Sequence, residues 1–346
     1  MRVLLLGGTG FIGSHVVRQM AEKGHEVTVV HRGRSNTSLP DGVQSLLFDR
    51  RDLSEYTPQI RKLAPDVVID MIPRTSQETW TLTCAITGVA SRMVVISSID
   101  VYRAYNRLRK KEPGSPDATP LKENSPLREQ LYPYRGVAVD ALHTAYEYEK
   151  ILVEKLAQSQ PELQTTILRL PVVYGPNDPQ TRIFDHLRRM DDGRKHILLG
   201  KQQAKWQLTR GYVEDVARAV VVASEDKAAG SFVYNIGEAD SMPEIEWVRL
   251  VGKAAGWNGE VVAVDEESLP THIKQDYDWR QHLTIDTEPF RAKFNWTETV
   301  PRDKALDLTV AWQRENPPET VDLDKFDYEA EDEVLEAKLK LASAKG

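Results

Sequence analysis

Tyr146-Glu-Tyr-Glu-Lys150 places a phenol four residues before an ammonium. On a helix, residues four apart share a face, and a lysine ammonium beside a phenol lowers a pKa that is about 10 in water. Tyr146 is therefore expected to act as a general acid or base near neutral pH, with Lys150 at its side. Upstream, Ser97-Ser98 closes the apolar run Met93 to Ile96. A serine at the end of a buried parallel strand faces a ligand cleft and can donate to a substrate oxygen. Asp100 follows two positions later and reads as a turn residue, with a proton shuttle as the functional alternative. The single Cys84 cannot form an internal disulfide or a thiolate metal site, so no metal is expected and Cys84 reads as a small buried residue.

The elements that must position these groups begin at the N-terminus. Val3 to Leu6 reads as a buried strand, Gly7, Gly10 and Gly13 form a GxxGxxG turn, and Phe11, Ile12, Val16, Val17 and Met20 give the following helix an apolar face. Glycines at that junction let the backbone approach a pyrophosphate while the helix N-terminal N–H groups face it. Strand-like runs at Val27 to His31, Ser45 to Phe48, Asp66 to Ile72 and Met93 to Ser97 alternate with helical stretches, which predicts an α/β Rossmann-type doubly wound parallel sheet.

Residues 103–136 break the rhythm with five prolines and read as a long surface loop, either a lid or a solvated connection. A helix from about Val139 to Gln158 and a strand from Gln164 to Leu170 follow. The expected organisation is a dinucleotide-binding domain over 1–172 plus about 211–237, a smaller substrate domain over 173–210 plus 238–318, and an acidic tail helix within 319–346. Phe326, Val334, Leu335, Leu339 and Leu341 form that helix's apolar side. Of the net charge of −7, the tail carries −5, so the body is nearly neutral. A general nucleic-acid surface would need a basic face. No apolar run is long enough to span a bilayer and no signal-peptide pattern opens the chain, so a cytoplasmic location is expected.

Taken together, the residues resemble the extended short-chain dehydrogenase/reductase family, also called the NAD-dependent epimerase/dehydratase family. The resemblance rests on Gly-Gly-Thr-Gly-Phe-Ile-Gly13, Asp49 in Phe-Asp-Arg-Arg-Asp, Ser97-Ser-Ile-Asp-Val-Tyr102, Tyr146-x-x-x-Lys150-x-x-x-Glu154, Arg169-Leu-Pro-Val-Val-Tyr-Gly-Pro176 and Tyr212-Val-Glu-Asp215. It implies Ser98, Tyr146 and Lys150 as the catalytic triad. It also implies cofactor contacts from Gly7, Thr9, Gly10, Phe11, Ile12, Gly13, Arg32, Arg34, Asp49, Lys150 and Pro171, with Lys150 on the nicotinamide ribose and Asp49 on the adenine. A homodimer through two outer helices is a further implication.

The chain departs from that pattern in three places. Ser98 and Tyr146 are 48 positions apart, Ile99 replaces the first of two acidic residues used by the dehydratases, and Leu208 stands where sugar-nucleotide epimerases carry an arginine. The second strand ends in Val30-His31-Arg32-Gly33-Arg34 with no carboxylate for a ribose 2′-hydroxyl. Arg32 and Arg34 favour a 2′-phosphate, so NADP is the expected cofactor and NAD the alternative. The expected function is hydride transfer at an alcohol or ketone of a small molecule, possibly a sugar or nucleotide sugar, with epimerase and reductase outcomes both open. A different class is a non-catalytic NADP-binding or RNA-associated protein. Its support is the likeness of the turn and His31-Arg-Gly to the chloroplast stem-loop RNA-binding branch, with the basic run Arg103, Arg107, Arg109, Lys110 and Lys111.

Overall fold

A computed structural model describes residues 1–34, 38–135 and 145–343. The chain opens as β1 (Arg2–Leu6), α1 (Phe11–Glu22), β2 (Glu26–His31), β3 (Gln44–Leu47), α2 (Thr57–Leu63), β4 (Val67–Asp70), α3 (Ser76–Ile86) and β5 (Arg92–Ser98). Then come α4 (Arg103–Leu108), α5 (Lys150–Gln158), β6 (Gln164–Leu170), β7 (Val172–Tyr174), α6 (Phe184–Asp191), β8 (His196–Gly200), α7 (Lys201–Lys205), β9 (Gln207–Leu208), β10 (Arg210–Tyr212) and α8 (Val213–Glu225). The remainder is β11 (Ser231–Asn235), β12 (Met242–Pro243), α9 (Glu244–Ala255), β13 (Glu260–Val264), α10 (Glu288–Phe294), α11 (Arg302–Glu315) and α12 (Tyr328–Ser343).

Seven strands pair in parallel in the order β11-β6-β5-β4-β1-β2-β3. Successive side chains of a strand point to opposite faces. Val3 and Leu5 accordingly pack on the side of α1 and α8, while Leu4 and Leu6 pack with residues of α2, α3 and α5. This is the doubly wound α/β fold expected from the alternating runs. Three small sheets, β10 with β7, β12 with β9 and β13 with β8, lie beyond it. No described helix is long and apolar enough to cross a membrane.

Several expectations change. The stretch 103–136 starts as α4 rather than as loop, and its described part is fastened down: Leu121 and Arg128 are buried, and the Leu121 N–H donates to the Thr284 carbonyl at 2.8 Å. Its basic run is spent internally, because Arg103 and Arg107 share Asp117, Lys110 pairs with Asp276, Lys111 donates to the Pro133 carbonyl and Arg109 donates to Tyr105. Within the span of about 211–237 expected to return to the dinucleotide-binding domain, Val213–Glu225 is α8 and Ser231–Asn235 joins the sheet as β11. Cys84 is exposed on α3, whose inward face is taken by Leu82, Thr83, Ala85 and Ile86. The helix expected over Val139 to Gln158 is seen from Lys150 onward, with a turn at 145–147, and positions 139–144 of that expectation lie outside the described residues.

The tail helix docks rather than trailing. Glu331 of α12 is 1% exposed and accepts hydrogen bonds from Arg189 of α6 and from His272. Leu335 and Val334 pack with Leu198, Val262, Val264 and Leu269.

A second tie sits between α1 and α8, where Glu214 takes His15 Nδ1 at 2.7 Å, Gln19 Nε2 at 3.0 Å and the Arg18 guanidinium. Burial alone would raise the Glu214 carboxyl, but these donors outweigh it and hold the pKa at about 2, below the ordinary 4.5. A depressed carboxylate adds stability above its unfolded value and loses it as the pH falls toward the folded one. Glu214→Gln should therefore cost roughly 1–3 kcal/mol at neutral pH. Paired urea titrations should show that gap closing as the pH is lowered from about 5 to about 3; a gap independent of pH would refute the assignment.

Candidate active site

The glycine turn shows why its residues are glycine. Gly7 has φ +84°, and a Cβ on Gly13 would stand 2.1 Å from the Gly7 carbonyl oxygen, so the helix start can lie against the strand end only without side chains. Gly10 caps α1 with no side-chain hydrogen bond and no acidic residue follows in the first turn, which leaves an electropositive helix end for an anion. A cleft of about 450 Å³ opens beside it, lined by Gly7, Thr9, Gly10, Arg32, Asp49, Arg51, Arg74 and neighbours. These features fit a dinucleotide, with the pyrophosphate at the turn and the adenosine toward Asp49.

Phe11 and Ile12 open α1, half-buried. Arg34 is exposed. Asp49 caps the turn after β3 by accepting from the Arg51 N–H, and its carboxylate is gripped by the Arg51 guanidinium at 3.1 and 2.9 Å with Arg32 at 3.9 Å. Hydrogen bonding from Arg51, helped by the charge of Arg32, holds the Asp49 carboxyl at about 2. Beneath it, buried Arg50 forms a two-pronged bond to Asp70 at 2.9 and 3.0 Å. Pro171 lies against Gly211 and Gly237 where β6 gives way to β7.

Lys150 is buried at the first position of α5. Its Nζ donates to the Pro73 carbonyl at 2.6 Å and the Ile96 carbonyl at 2.7 Å, which joins the rim of the cleft to the end of β5. Burial pulls its pKa down to about 8 against the opposing charges of Asp70 and Asp100. Ser98 ends β5, and its hydroxyl accepts from the Asp100 N–H at 3.2 Å and hydrogen-bonds Tyr148.

Tyr146 is not in this group. It lies in a turn before α5, with its ring 4.9 Å from the Arg135 guanidinium and its carbonyl accepting from the same residue. The helical i to i+4 relation to Lys150 does not exist because Glu149 is the N-cap. Its backbone is extended, its carboxylate accepts the Ile151 and Tyr132 N–H groups and pairs with buried Arg128, and its own N–H donates to the Arg74 carbonyl. Tyr148 takes the place instead, its ring 5.6 Å from Lys150 Nζ and its hydroxyl 2.9 Å from Asp100 Oδ2. Burial, then the neighbouring Asp100 charge, raises the Tyr148 pKa well above 10 and keeps it a proton donor.

Asp100, read as a turn residue, is buried and also accepts from Tyr134 at 3.0 Å. Tyr148, Tyr134 and Arg51 were all missed by the sequence reading. For Tyr148 a signal was present, since Tyr146-Glu-Tyr offers two phenols and spacing alone selects the first.

Leu208 is buried in an apolar cluster, and Arg210 pairs with Glu244 and lies 4.2 Å from the Trp247 ring. A second cavity of about 400 Å³ between α6, α7 and residues 272–279 is lined by Arg182, His186, Trp206, Tyr277, Trp279 and Lys325, among others.

The family model for the NAD dependent epimerase/dehydratase family matches residues 3–237, more than half of the chain. The chain belongs to this family. It is an enzyme of that family by the same match, and relatives extend the likeness over most of its length. It is 27% identical over 331 residues to a 2′-dehydrokanamycin reductase of Streptomyces kanamyceticus, covering 93% of this chain and 82% of that protein. The fold is shared with a UDP-glucose 4-epimerase of Thermotoga maritima solved with UDP-glucose (TM-score 0.67, 22% identity, 92% of this chain and all of the other). It is shared as well with MoeE5 solved with UDP-glucose and NAD (TM-score 0.65, 22% identity, the same coverage). In an enzyme of this family the glycine turn has a direct test. Gly13→Ala should weaken NADH binding by about two orders of magnitude in a fluorescence titration, with circular dichroism unchanged, because the turn must open to admit the methyl group.

Proposed function

We propose that this enzyme transfers a hydride between a nicotinamide cofactor and a carbinol or keto carbon of a sugar-like substrate, with Tyr148 exchanging the proton. The carrying observation is the grouping of Ser98, Tyr148 and Lys150 at the end of β5, tied through Pro73 to the rim of the cofactor cleft. The cofactor, when bound, supplies or accepts the hydride. Ser98 donates to the substrate oxygen and Tyr148 delivers its proton there, while the Lys150 ammonium offsets negative charge at the phenol oxygen. The second cavity, with its indoles and cations, receives the remote part of the substrate. That lining suits an anionic, ring-bearing group such as a nucleotide, whereas Leu208 removes one family anchor for it.

NADP is the proposed cofactor. Arg32 and Arg51 converge on Asp49 at the adenosine end of the cleft, and Arg74 lines the same cleft, so a 2′-phosphate would meet guanidinium groups already gathered there. A hydrogen bond to a charged group contributes roughly 1.5–3 kcal/mol, or about one to two decades of affinity. Calorimetry should show Arg32→Ala weakening NADPH by that factor and NADH by far less. Tighter NADH binding in the wild type, insensitive to the substitution, would assign NAD.

Activity is tested with both reduced cofactors against 2′-dehydrokanamycin, and with both oxidised cofactors against UDP-glucose and UDP-glucuronic acid. Tyr148→Phe should lower turnover by about two to four orders of magnitude, and Tyr146→Phe by less than about threefold. The reverse pattern would return the role to Tyr146.

A further inference from the structure

Asp100 is more elaborately surrounded than hydride transfer with a single phenol requires. It lies 4% exposed in the turn after β5, and Oδ2 receives both phenol hydrogens while Oδ1 has no hydrogen-bond partner among the described residues. A buried carboxyl oxygen without a donor is costly, and such atoms persist where function uses them. Beyond Tyr134, the Tyr105 hydroxyl lies 3.3 Å from the Tyr134 hydroxyl, and Arg109 Nη1 donates to Tyr105 at 2.8 Å. Tyr134, Tyr105 and Arg109 keep part of their surface in solvent. Among the described residues, the other cations facing Asp100 are Arg128, whose Nε donates to the Asp100 carbonyl, and Lys150. Burial raises the Asp100 pKa against the pull of Arg128, the two phenols and Lys150.

We propose that Tyr105, Tyr134 and Asp100 form a proton path that recharges Tyr148 from solvent, so that the enzyme carries out a net reduction or oxidation rather than an internal epimerisation. The proposal rests on Tyr148 being the catalytic phenol. An epimerase recovers its proton and its cofactor state within one cycle, whereas a reduction consumes one solvent proton per turnover.

In the reductive direction a bound reduced nicotinamide would supply the hydride that the carbonyl carbon gains. The Tyr148 O–H bond breaks as the product O–H bond forms. The Tyr134 proton then passes to Oδ2 of Asp100 and from there to the Tyr148 phenolate. Tyr105 reprotonates Tyr134, and buffer acid reprotonates half-buried Tyr105. Each turnover thus consumes one hydride and one proton and restores every phenol. Arg109 stays charged throughout and holds the Tyr105 oxygen.

Two measurements decide this. In carbon-13 NMR of labelled aspartate carboxyls, with Asp100→Asn identifying the signal, Tyr134→Phe and Tyr148→Phe should each raise the Asp100 titration midpoint, because a donor to the ionised form has been removed. An unchanged midpoint in Tyr134→Phe overturns the path. In rapid mixing with reduced cofactor and 2′-dehydrokanamycin, or with the keto form of whichever panel sugar turns over, the first turnover draws on the proton already on Tyr148. Tyr134→Phe and Tyr105→Phe should keep the first-turnover rate within about twofold, slow the steady state by about tenfold and enlarge the solvent isotope effect. Equal slowing of both phases marks a structural role and overturns the proposal, as does product formed without stoichiometric cofactor turnover. Full activity in Tyr148→Phe would refute the phenol assignment and the path that rests on it, whereas a panel with no turnover would refute the substrate reading and leave the NMR result to decide the path.

Discussion

The buried pair between Glu154 and Arg169 holds the site in register. Arg169 on β6 grips Glu154 on α5 through two bonds of 2.9 and 2.7 Å, Ser97 on β5 donates to the same carboxylate at 2.5 Å, and Arg169 continues to the Tyr102 hydroxyl and the Glu123 carbonyl. Tyr102 in turn donates to Asn235 on β11, whose amide reaches Leu121 and Asp286. Losing one member would strand a charge in the interior at a cost of about 3–5 kcal/mol. The network therefore spends its polarity on alignment. It fixes α5 over the sheet edge, and with it the position of Lys150 one turn before Glu154 and of Ser98 one residue after Ser97.

The elements whose sequence signal is local were legible. The glycine turn and the strand alternation of β1 depend on nearest-neighbour sterics and on which face is buried, and the place of Ser98 follows from the end of the apolar run of β5. What the sequence did not disclose was where α5 begins. That boundary depends on Glu149 being held by Arg128 and the Tyr132 N–H from the long insertion, contacts that no periodicity encodes. The same boundary takes Tyr146 off the helix and sets the Tyr148 ring beside Lys150. Asp100 does lie in a turn, as its sequence suggests, but its two phenol donors were hidden for the same reason, since Tyr134 and Tyr148 reach it from segments remote in sequence.

Charge was also harder to read than composition implies. The basic run after Tyr102 looks like a patch, yet its members are consumed by Asp117, Asp276, Tyr105 and the Pro133 carbonyl. Conversely, Arg32 and Arg51 sit together only because β2 and β3 are neighbours in the sheet, which sets the loops after their C-terminal ends side by side.

The docking of α12 has a consequence for the second cavity. Arg189 and His272 depend on the Glu331 carboxylate that α12 brings to them. Arg189 and Lys325 both line that cavity, so its wall is braced only while α12 is seated. Peeling α12 away would leave the Arg189 guanidinium facing the cavity without its counterion and couple the shape of the cavity to the docking of the helix.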